Sequence, residues 1–190
     1  MRDNTRQRIL EAGAELIHRK GLNNTGINEV LQAAGVPKGS CCFDDEETFC
    51  VEIVDYFSRR FGEMARPIIE DKSLSPLKRL RKIFMVFHNH FKSHGYASSC
   101  PIGNLGQEMG DLKGSFRDKL AEYLNQQTDV VETLLSEAQH AADIEPDLDP
   151  RETAIFIIGA WHGAINRMKV IKNPEPLEIF YKLVFEAVLR

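Results

Sequence analysis

The chain has 190 residues, of which 43% are hydrophobic and 27% charged, and its formal net charge is −4. This share of apolar residues is enough for a packed core and is inconsistent with an intrinsically disordered chain. The negative balance excludes a general polycation, so any contact with nucleic acid has to come from a local basic patch.

The sequence contains no apolar run of 18 residues, and the longest run, near residues 154–161, is too short to span a bilayer. The first ten residues are polar and charged and lack the apolar core of a signal peptide. We therefore expect a cytoplasmic protein with no membrane partner. In that reducing compartment the four cysteines, none of them in a Cys-x-x-Cys pair, are expected to be free thiols.

Helical periodicity runs through nearly the whole chain, and no stretch alternates for long enough to predict a strand. A first helix is predicted over residues 4–20 and ends at Gly21, and Thr25 is predicted to cap a short second helix with Ile27 on its buried face. Pro37 suits the start of a third short helix, because its missing N–H is not needed there. Longer helices are predicted over 46–69, 76–94, 102–109, 114–142, 150–171 and 174–189.

Three short helices with a glycine-containing turn between the second and the third are typical of a helix-turn-helix. The remaining helices are joined by short turns and show no repeat of fixed length, which predicts an irregular helical bundle. The predicted fold is therefore all-α. A helix-turn-helix domain over residues 1–48 is joined by a long helix to a ligand-binding and dimerisation domain over residues 49–190.

The segment from Thr5 to Ser40 resembles the N-terminal signature of TetR-family transcriptional regulators. It reads TRQRILEAGAELIHRKGLNNTGINEVLQAAGVPKGS, with the family's glycine after the first helix, Thr-x-Ile at the second, and Ala-Gly-Val-Pro-Lys-Gly-Ser entering the third. The resemblance implies a DNA-binding regulator, in particular a repressor released from its duplex DNA operator by a small apolar, aromatic or electrophilic effector. It implies no enzymatic activity, and we expect no cofactor.

Several residues of this segment suit contact with a phosphate backbone. Thr25 would present a hydroxyl and the free N–H groups of a helix start, Lys38 adds a cation, and Gly39 leaves room for the DNA backbone. Base contacts from the third helix would then select the sequence. The alternative is that Thr25 and Ser40 are ordinary helix caps. The predicted DNA contacts are Thr25, Gly26, Pro37, Lys38, Gly39, Ser40, Cys41 and Cys42.

The segment that follows departs from the family pattern. Residues 44–47 read Asp-Asp-Glu-Glu, about two residues are missing relative to the family, and Cys42 stands where a tyrosine is usual. Residues 1–43 carry six Lys or Arg and four Asp or Glu, a net charge of +2 that the four further acids turn into −2. We expect these acids to stabilise the start of the next helix through its dipole and also to weaken DNA binding.

The segment Cys-Pro-Ile-Gly-Asn-Leu, residues 100–105, resembles a subgroup of these regulators that includes sensors of reactive electrophiles. In those sensors, modification of a cysteine at this place releases the operator. Cys100 occupies the matching position, and Lys92 or His94 is expected to lower the pKa of its thiol. The alternative is that Cys100 is only a small buried side chain.

We expect the middle helices to enclose a cavity for an apolar or aromatic effector, although each candidate residue taken alone also suits the core. The candidates are Phe87, His90, Phe91, Cys100, Asn104, Met109, Trp161 and His162.

The last two helices are expected to form a homodimer, because glycines four residues apart let a neighbouring helix approach closely. The alternative for these residues is packing within one subunit. The predicted interface comprises Ile155, Gly159, Gly163, Phe180 and Val184.

Other classes of function have weaker support. His90 and His94 lie one helical turn apart and Glu137 begins a Glu-x-x-His, but the further residues of a zinc protease or a di-iron bundle are missing from the sequence. Adjacent Cys41 and Cys42 would need a third ligand to bind a soft metal, so no metal site is predicted. The main alternative is a helical ligand- or thiol-reactive sensor with weakened or lost operator binding.

Overall fold

The structure, a computed structural model, describes residues 2–40, 43, 45–109 and 114–190. Within these residues the predicted all-α fold is confirmed, and no β-strand occurs. A 3₁₀ turn covers Lys38–Ser40, and a π-helix, Val184–Val188, continues the last α-helix. The α-helices are α1 (Arg2–Lys20), α2 (Ile27–Ala33), α3 (Glu46–Ile69), α4 (Pro76–Ser93), α5 (Pro101–Met109), α6 (Ser115–His140), α7 (Pro150–Ile171) and α8 (Glu175–Leu183).

The longer helices begin and end within two residues of their predicted limits, once the π-helix is counted with α8. Two predictions about α2 are wrong. The residue that caps it is Gly26, because the hydroxyl of Thr25 instead donates a hydrogen bond to the carbonyl of Gly21 at 2.7 Å. Ile27 is 38% exposed, since the buried face of α2 is formed by Val30 and Leu31.

The chain divides into two compact units, and each unit is built from two separate stretches of sequence. The first combines Met1–Phe61 with Cys100–Tyr123, and the second combines Gly62–Ser99 with Leu124–Arg190. Helices α3 and α6 each begin in the first unit and end in the second. The domain boundary after residue 48 stays a prediction.

The core of the first unit depends on a close approach between α1 and α3. Phe49 of α3 is 2% exposed, and a Cβ atom at position 13 would lie only 2.5 Å from its ring. Gly13 therefore lets the aromatic ring pack directly on the backbone of α1. Ile9 and Ile53, both fully buried, lie in the same core.

Aromatic side chains fill the core of the second unit and hold α4, α7 and α8 together. The ring centroid of Trp161 lies 4.8 Å from that of Phe84 and 5.0 Å from that of Phe180. All three side chains are at least 96% buried. Such rings bury large apolar areas and interact favourably edge to face, which makes them a dominant contribution to stability.

Arg79 is a buried charge that ties three helices of the second unit together. Its side chain is 3% exposed, and it donates hydrogen bonds to the carbonyl of Ile69 at 3.0 Å and to the carboxylate of Glu137. Lys72 also donates to Glu137, at 3.2 Å. The hydrogen bonds from Arg79 and Lys72 hold the pKa of Glu137 below its ordinary value.

Glu137→Gln should lower the free energy of unfolding at pH 7 by about 1–3 kcal/mol, because Arg79 would stay buried without its counter-charge. Folding lowers the pKa of Glu137, so its contribution is complete above the ordinary value of 4.5 and is lost as the pH falls through the lower folded value. Urea unfolding at pH 7 and pH 3 measures both effects, and the two proteins should differ less at pH 3.

The control for this comparison is Lys72→Ala, whose side chain is 69% exposed and should contribute less than about 1 kcal/mol. A Glu137→Gln protein as stable as the wild type at pH 7 would show that Arg79 does not depend on this carboxylate.

Candidate functional site

The helix-turn-helix presents a short turn whose position is fixed from α1. Gly35 has a φ of +62°, a conformation that reverses the chain directly after α2. Arg8 of α1 donates hydrogen bonds to the carbonyls of Ala34 at 2.5 Å and Gly35 at 3.2 Å. These carbonyls have no partner within α2, so Arg8 both satisfies them and holds the end of the helix.

The predicted DNA contacts that the structure describes lie mostly on the surface. Pro37, Lys38, Gly39 and Gly26 are exposed, whereas Thr25 is only 7% exposed. A Cβ atom at Gly26 or Gly39 would meet open space, and neither residue has a positive φ. The fold therefore does not require glycine at these two positions. The space that a side chain would fill is instead open to another molecule, which could approach the backbone closely.

Three predicted contacts at the end of this segment lie outside the described residues. They are the side chain of Ser40, Cys41 and Cys42.

Internal contacts occupy several cations of the first unit, which a count of charges in the sequence could not show. Arg6 pairs with Glu52 and also lies 4.7 Å from the ring centroid of Phe43, and Lys20 pairs with Glu29. Among the described residues, Lys38 forms no ion pair, and it is exposed on the 3₁₀ turn. Lys38 is therefore a cation that a phosphate could reach.

The acidic segment contains a helix cap. A side-chain oxygen of Asp45 accepts a hydrogen bond from the backbone N–H of Thr48 at 2.7 Å, and this bond lowers the pKa of Asp45. The prediction that these acids support the start of α3 is confirmed for Asp45. Asp44 and the side chain of Glu46 lie outside the described residues.

Glu47 has a different role, because it supports the start of another helix. One of its oxygens accepts hydrogen bonds from the backbone N–H of Ser115 at 3.0 Å and from the Ser115 hydroxyl at 2.6 Å. Ser115 is the first residue of α6. Nothing in the sequence near Glu47 indicates this contact, because its partner lies 68 residues away.

Cys100 lies immediately before α5 and takes part in the start of that helix. Its carbonyl accepts a hydrogen bond from Asn104 N–H at 3.1 Å, and its Sγ atom accepts one from Gly103 N–H at 3.4 Å. The residue is 9% exposed, and burial raises the pKa of the thiol in spite of the backbone hydrogen bonds. The predicted lowering by Lys92 or His94 is therefore wrong.

The predicted effector residues are divided between the two units. Trp161 and Phe91 are buried, with ring centroids 6.3 Å apart, and belong to the core of the second unit. His162 is mostly buried, which lowers its pKa, and its Nε2 atom has no hydrogen-bond partner among the described residues. Phe87 and His90 are half-buried on α4, Cys100 and Asn104 belong to the first unit, and the side chain of Met109 lies outside the described residues.

A surface pocket of about 360 Å³ lies between α4 and α8. His88 stacks on Tyr181 at its edge, with ring centroids 5.8 Å apart. Burial lowers the pKa of His88 and raises that of Tyr181. Charged side chains, among them Arg81, Glu178 and Lys182, supply much of the lining, and none of the predicted effector residues borders this pocket.

Helices α7 and α8 expose apolar side chains that the protomer itself does not cover. Five of them are at least half exposed: Ile155, Phe156, Val170, Ile179 and Leu183. Gly159 and Gly163 follow Ile155 at intervals of four residues on α7, and a Cβ atom at either glycine would meet open space.

Two residues of the predicted interface lie elsewhere. Phe180 and Val184 are only 4% and 2% exposed, because they pack inside the protomer. The prediction that they offer surface to a partner is wrong, and Ile179 and Leu183 are the exposed apolar residues of α8.

Two family models match these regions. Residues 9–40 match the bacterial regulatory proteins of the tetR family, and residues 76–184 match the tetracyclin repressor-like C-terminal domain. The chain belongs to the TetR family. It is accordingly a DNA-binding transcriptional regulator, and TetR-family regulators act as dimers that respond to small molecules.

Individual TetR-family proteins resemble the chain over most of its length. Transcriptional regulator AcuR of Cereibacter sphaeroides is 36% identical over 177 residues, which cover 92% of this chain and 80% of that protein. HTH-type transcriptional repressor DhaR of a Mycobacterium species is 33% identical over 189 residues, 97% and 92% of the two chains. A regulatory protein TetR from Rhodobacter sphaeroides has a crystal structure with a TM-score of 0.86 and 34% identity, covering 93% and 94%.

The reduced form of NemR from Escherichia coli shares the fold, with a TM-score of 0.85, 24% identity and coverage of 93% and 92%. Within the described part of this TetR-family chain, no helix is long and apolar enough to cross a membrane. The described residues also contain no group of three or more His, Cys, Asp or Glu arranged to hold a metal ion.

Proposed function

We propose that this regulator is a repressor that binds a duplex operator as a homodimer and is released from it by a small apolar or electrophilic molecule. The observation that carries the proposal is the exposed turn at Lys38, a cation with no ion pair among the described residues, inside a helix-turn-helix of the TetR family. The name of DhaR, a transcriptional repressor 33% identical to this chain, supports repression as the direction of regulation.

Phosphate contacts are assigned to exposed residues near the two ends of residues 26–40, the reading segment of the helix-turn-helix. Lys38 supplies the charge, while Gly26 and Gly39 leave space for the sugar-phosphate backbone. Because Arg6 and Lys20 are engaged in internal ion pairs, few cations remain for counterion release. The proposal therefore includes modest affinity that depends on salt through a small number of phosphate contacts.

The homodimer is proposed to form through the exposed apolar surface of α7 and α8. In an isologous contact this surface would pack against the same surface of the second protomer. Ile155, Phe156, Ile179 and Leu183 of both protomers would then be buried. The open space above Gly159 and Gly163 would allow the partner's helix to approach the backbone closely. Dimerisation would also set two helix-turn-helix elements against two operator half-sites.

An electrophilic effector is proposed to act at Cys100, following the likeness of residues 100–105 to the electrophile-sensing subgroup. The Cys100 thiol would first lose its proton to water, and its sulfur would then add to the β-carbon of an α,β-unsaturated carbonyl compound. The C–S bond forms as the carbon–carbon π bond breaks, and water returns a proton to the α-carbon. Since Cys100 is only 9% exposed, the adduct would require this site to open. Since Sγ accepts the N–H of Gly103, the start of α5 would have to rearrange.

Binding-site selection with fragmented genomic DNA, followed by titration of the recovered duplex at several salt concentrations, tests the function. Lys38→Ala should weaken binding to all sequences and reduce the salt slope by about one, because one phosphate contact is lost. If the wild-type protein retains no duplex at low salt, the repressor proposal is wrong and a sensor without operator binding is favoured.

Gly159→Leu should shift the protein from dimer to monomer in sedimentation velocity, because a leucine at this position would hold the facing helices apart. The matched control is Gly62→Leu on α3, where a Cβ atom also meets open space. Persistence of the dimer in Gly159→Leu would place the interface on another surface.

N-Ethylmaleimide, a soluble Michael acceptor, should lower operator affinity of the wild-type protein but not of Cys100→Ser. Cys50→Ser is the matched control, because Cys50 is a second buried cysteine of the same unit. Mass spectrometry shows which thiol is modified, and anisotropy with the selected operator measures binding. An equal loss of affinity in Cys100→Ser would exclude Cys100 as the sensor.

A further inference from the structure

We infer that Glu108 is a positioning residue for operator binding, which holds the turn between α1 and α2 from outside the helix-turn-helix. The inference rests on the proposed function, since it concerns how the reading segment is kept in place. Glu108 lies in the last turn of α5, whereas the turn it contacts begins at Gly21.

Three consecutive residues of the turn surround the Glu108 carboxylate. Its Oε2 atom accepts hydrogen bonds from the backbone N–H groups of Leu22 at 3.0 Å and Asn23 at 3.5 Å. Gly21 has a φ of +83°, and a Cβ atom there would lie 2.7 Å from Oε1. Successive N–H groups beside a left-handed residue form a concave site that suits an anion, and here the anion is a side chain of the same protein.

The same turn leads directly into the segment assigned to DNA. The hydroxyl of Thr25 donates to the Gly21 carbonyl at 2.7 Å, and Thr25 N–H donates to the Leu22 carbonyl at 2.9 Å. Gly26 then caps α2. The position of the α2 N-terminus is thus linked through a closed five-residue turn to the carboxylate on α5.

Helix α2 is held at both ends by side chains that lie outside it. Arg8 binds the carbonyls that follow its C-terminus, and Glu108 binds the turn before its N-terminus. Val30 and Leu31, which are 0% and 3% exposed, anchor α2 by burial rather than through Glu108. Loss of Glu108 should therefore let α2 pivot about its buried face without unfolding the unit.

The negative charge of Glu108 makes it possible to distinguish a positioning role from a purely electrostatic effect on DNA binding. A carboxylate in a DNA-binding unit repels phosphate, so its removal should strengthen binding to every duplex if charge were its only effect. A positioning role predicts the reverse for the operator, because base-edge contacts depend on an accurate placement of the reading helix.

Anisotropy titrations with the selected operator and with a scrambled duplex of equal length test this inference. Glu108→Ala should bind the operator about tenfold more weakly, comparable with the loss of one base contact, and the scrambled duplex at least as tightly as the wild type. Glu108→Gln keeps a carbonyl oxygen that can accept the hydrogen bonds, so its operator affinity should fall less than that of Glu108→Ala. The control Glu15→Ala removes an exposed carboxylate from α1 and should leave the ratio of the two affinities unchanged.

Hydrogen exchange of the Leu22 and Asn23 amides, followed by NMR, provides a readout that does not require DNA. Exchange should be faster in Glu108→Ala than in the wild type and in Glu15→Ala, with the other core amides unchanged. If Glu108→Ala fails to fold, the same comparison is made with Glu108→Gln.

The inference is wrong if Glu108→Ala binds operator and scrambled duplex more tightly in equal proportion, or if the Leu22 amide stays as protected as in the wild type. A wild-type protein that binds no duplex would instead overturn the proposed function, while the exchange data would still decide whether Glu108 holds the turn.

Discussion

The arrangement of the first unit depends on carboxylates that accept hydrogen bonds from backbone N–H groups far away in the sequence. Glu108 binds the turn after α1, and Glu47 binds the first residue of α6. Both bonds satisfy N–H groups that a loop or a helix start would otherwise leave to water. Because each bond joins a residue of 1–61 to a residue of 100–123, the two stretches position one another.

This use of charge has a cost for a protein that binds a polyanion. Arg6 and Lys20 form ion pairs within the protomer, and Asp45 and Glu47 add negative charge shortly after the 3₁₀ turn in the sequence. Arg8, which binds the carbonyls of Ala34 and Gly35, holds the turn that leads to Lys38. In the proposed operator complex, accurate placement of the contacts therefore takes precedence over electrostatic attraction, in keeping with the general division between base contacts that specify and phosphate contacts that add affinity.

The sequence was sufficient for the fold and for every helix longer than a few turns, since these are set by local periodicity and by Pro and Gly at their ends. Thr25 shows where local rules fail: a threonine before a helix is a good cap, yet its hydroxyl found a closer acceptor in Gly21. Ile27 was misassigned because a helix of seven residues has too few positions to define its buried face.

The candidate site was harder to predict because its properties depend on tertiary contacts. Burial decides the pKa of Cys100, and the neighbouring cations in the sequence gave the opposite expectation. Phe180 and Val184 are apolar, as interface residues often are. Only the packing of the last helix shows that they are buried inside the protomer while Ile179 and Leu183 are exposed. The partners of Glu47 and Glu108 lie 68 and 86 residues away and leave no local signal.

The first unit is formed by two separate stretches of sequence, and this also affects how the DNA specificity of such regulators can evolve. A recombination event that exchanged only the N-terminal segment between two relatives would separate Leu22 from Glu108 and Glu47 from Ser115. The hybrid would inherit a new operator preference, but its helix-turn-helix would lack the matching hydrogen-bond partners in residues 100–123. To change DNA specificity by recombination, residues 1–61 and 100–123 have to be exchanged together. The alternative is a change of specificity by substitutions within residues 26–40 themselves.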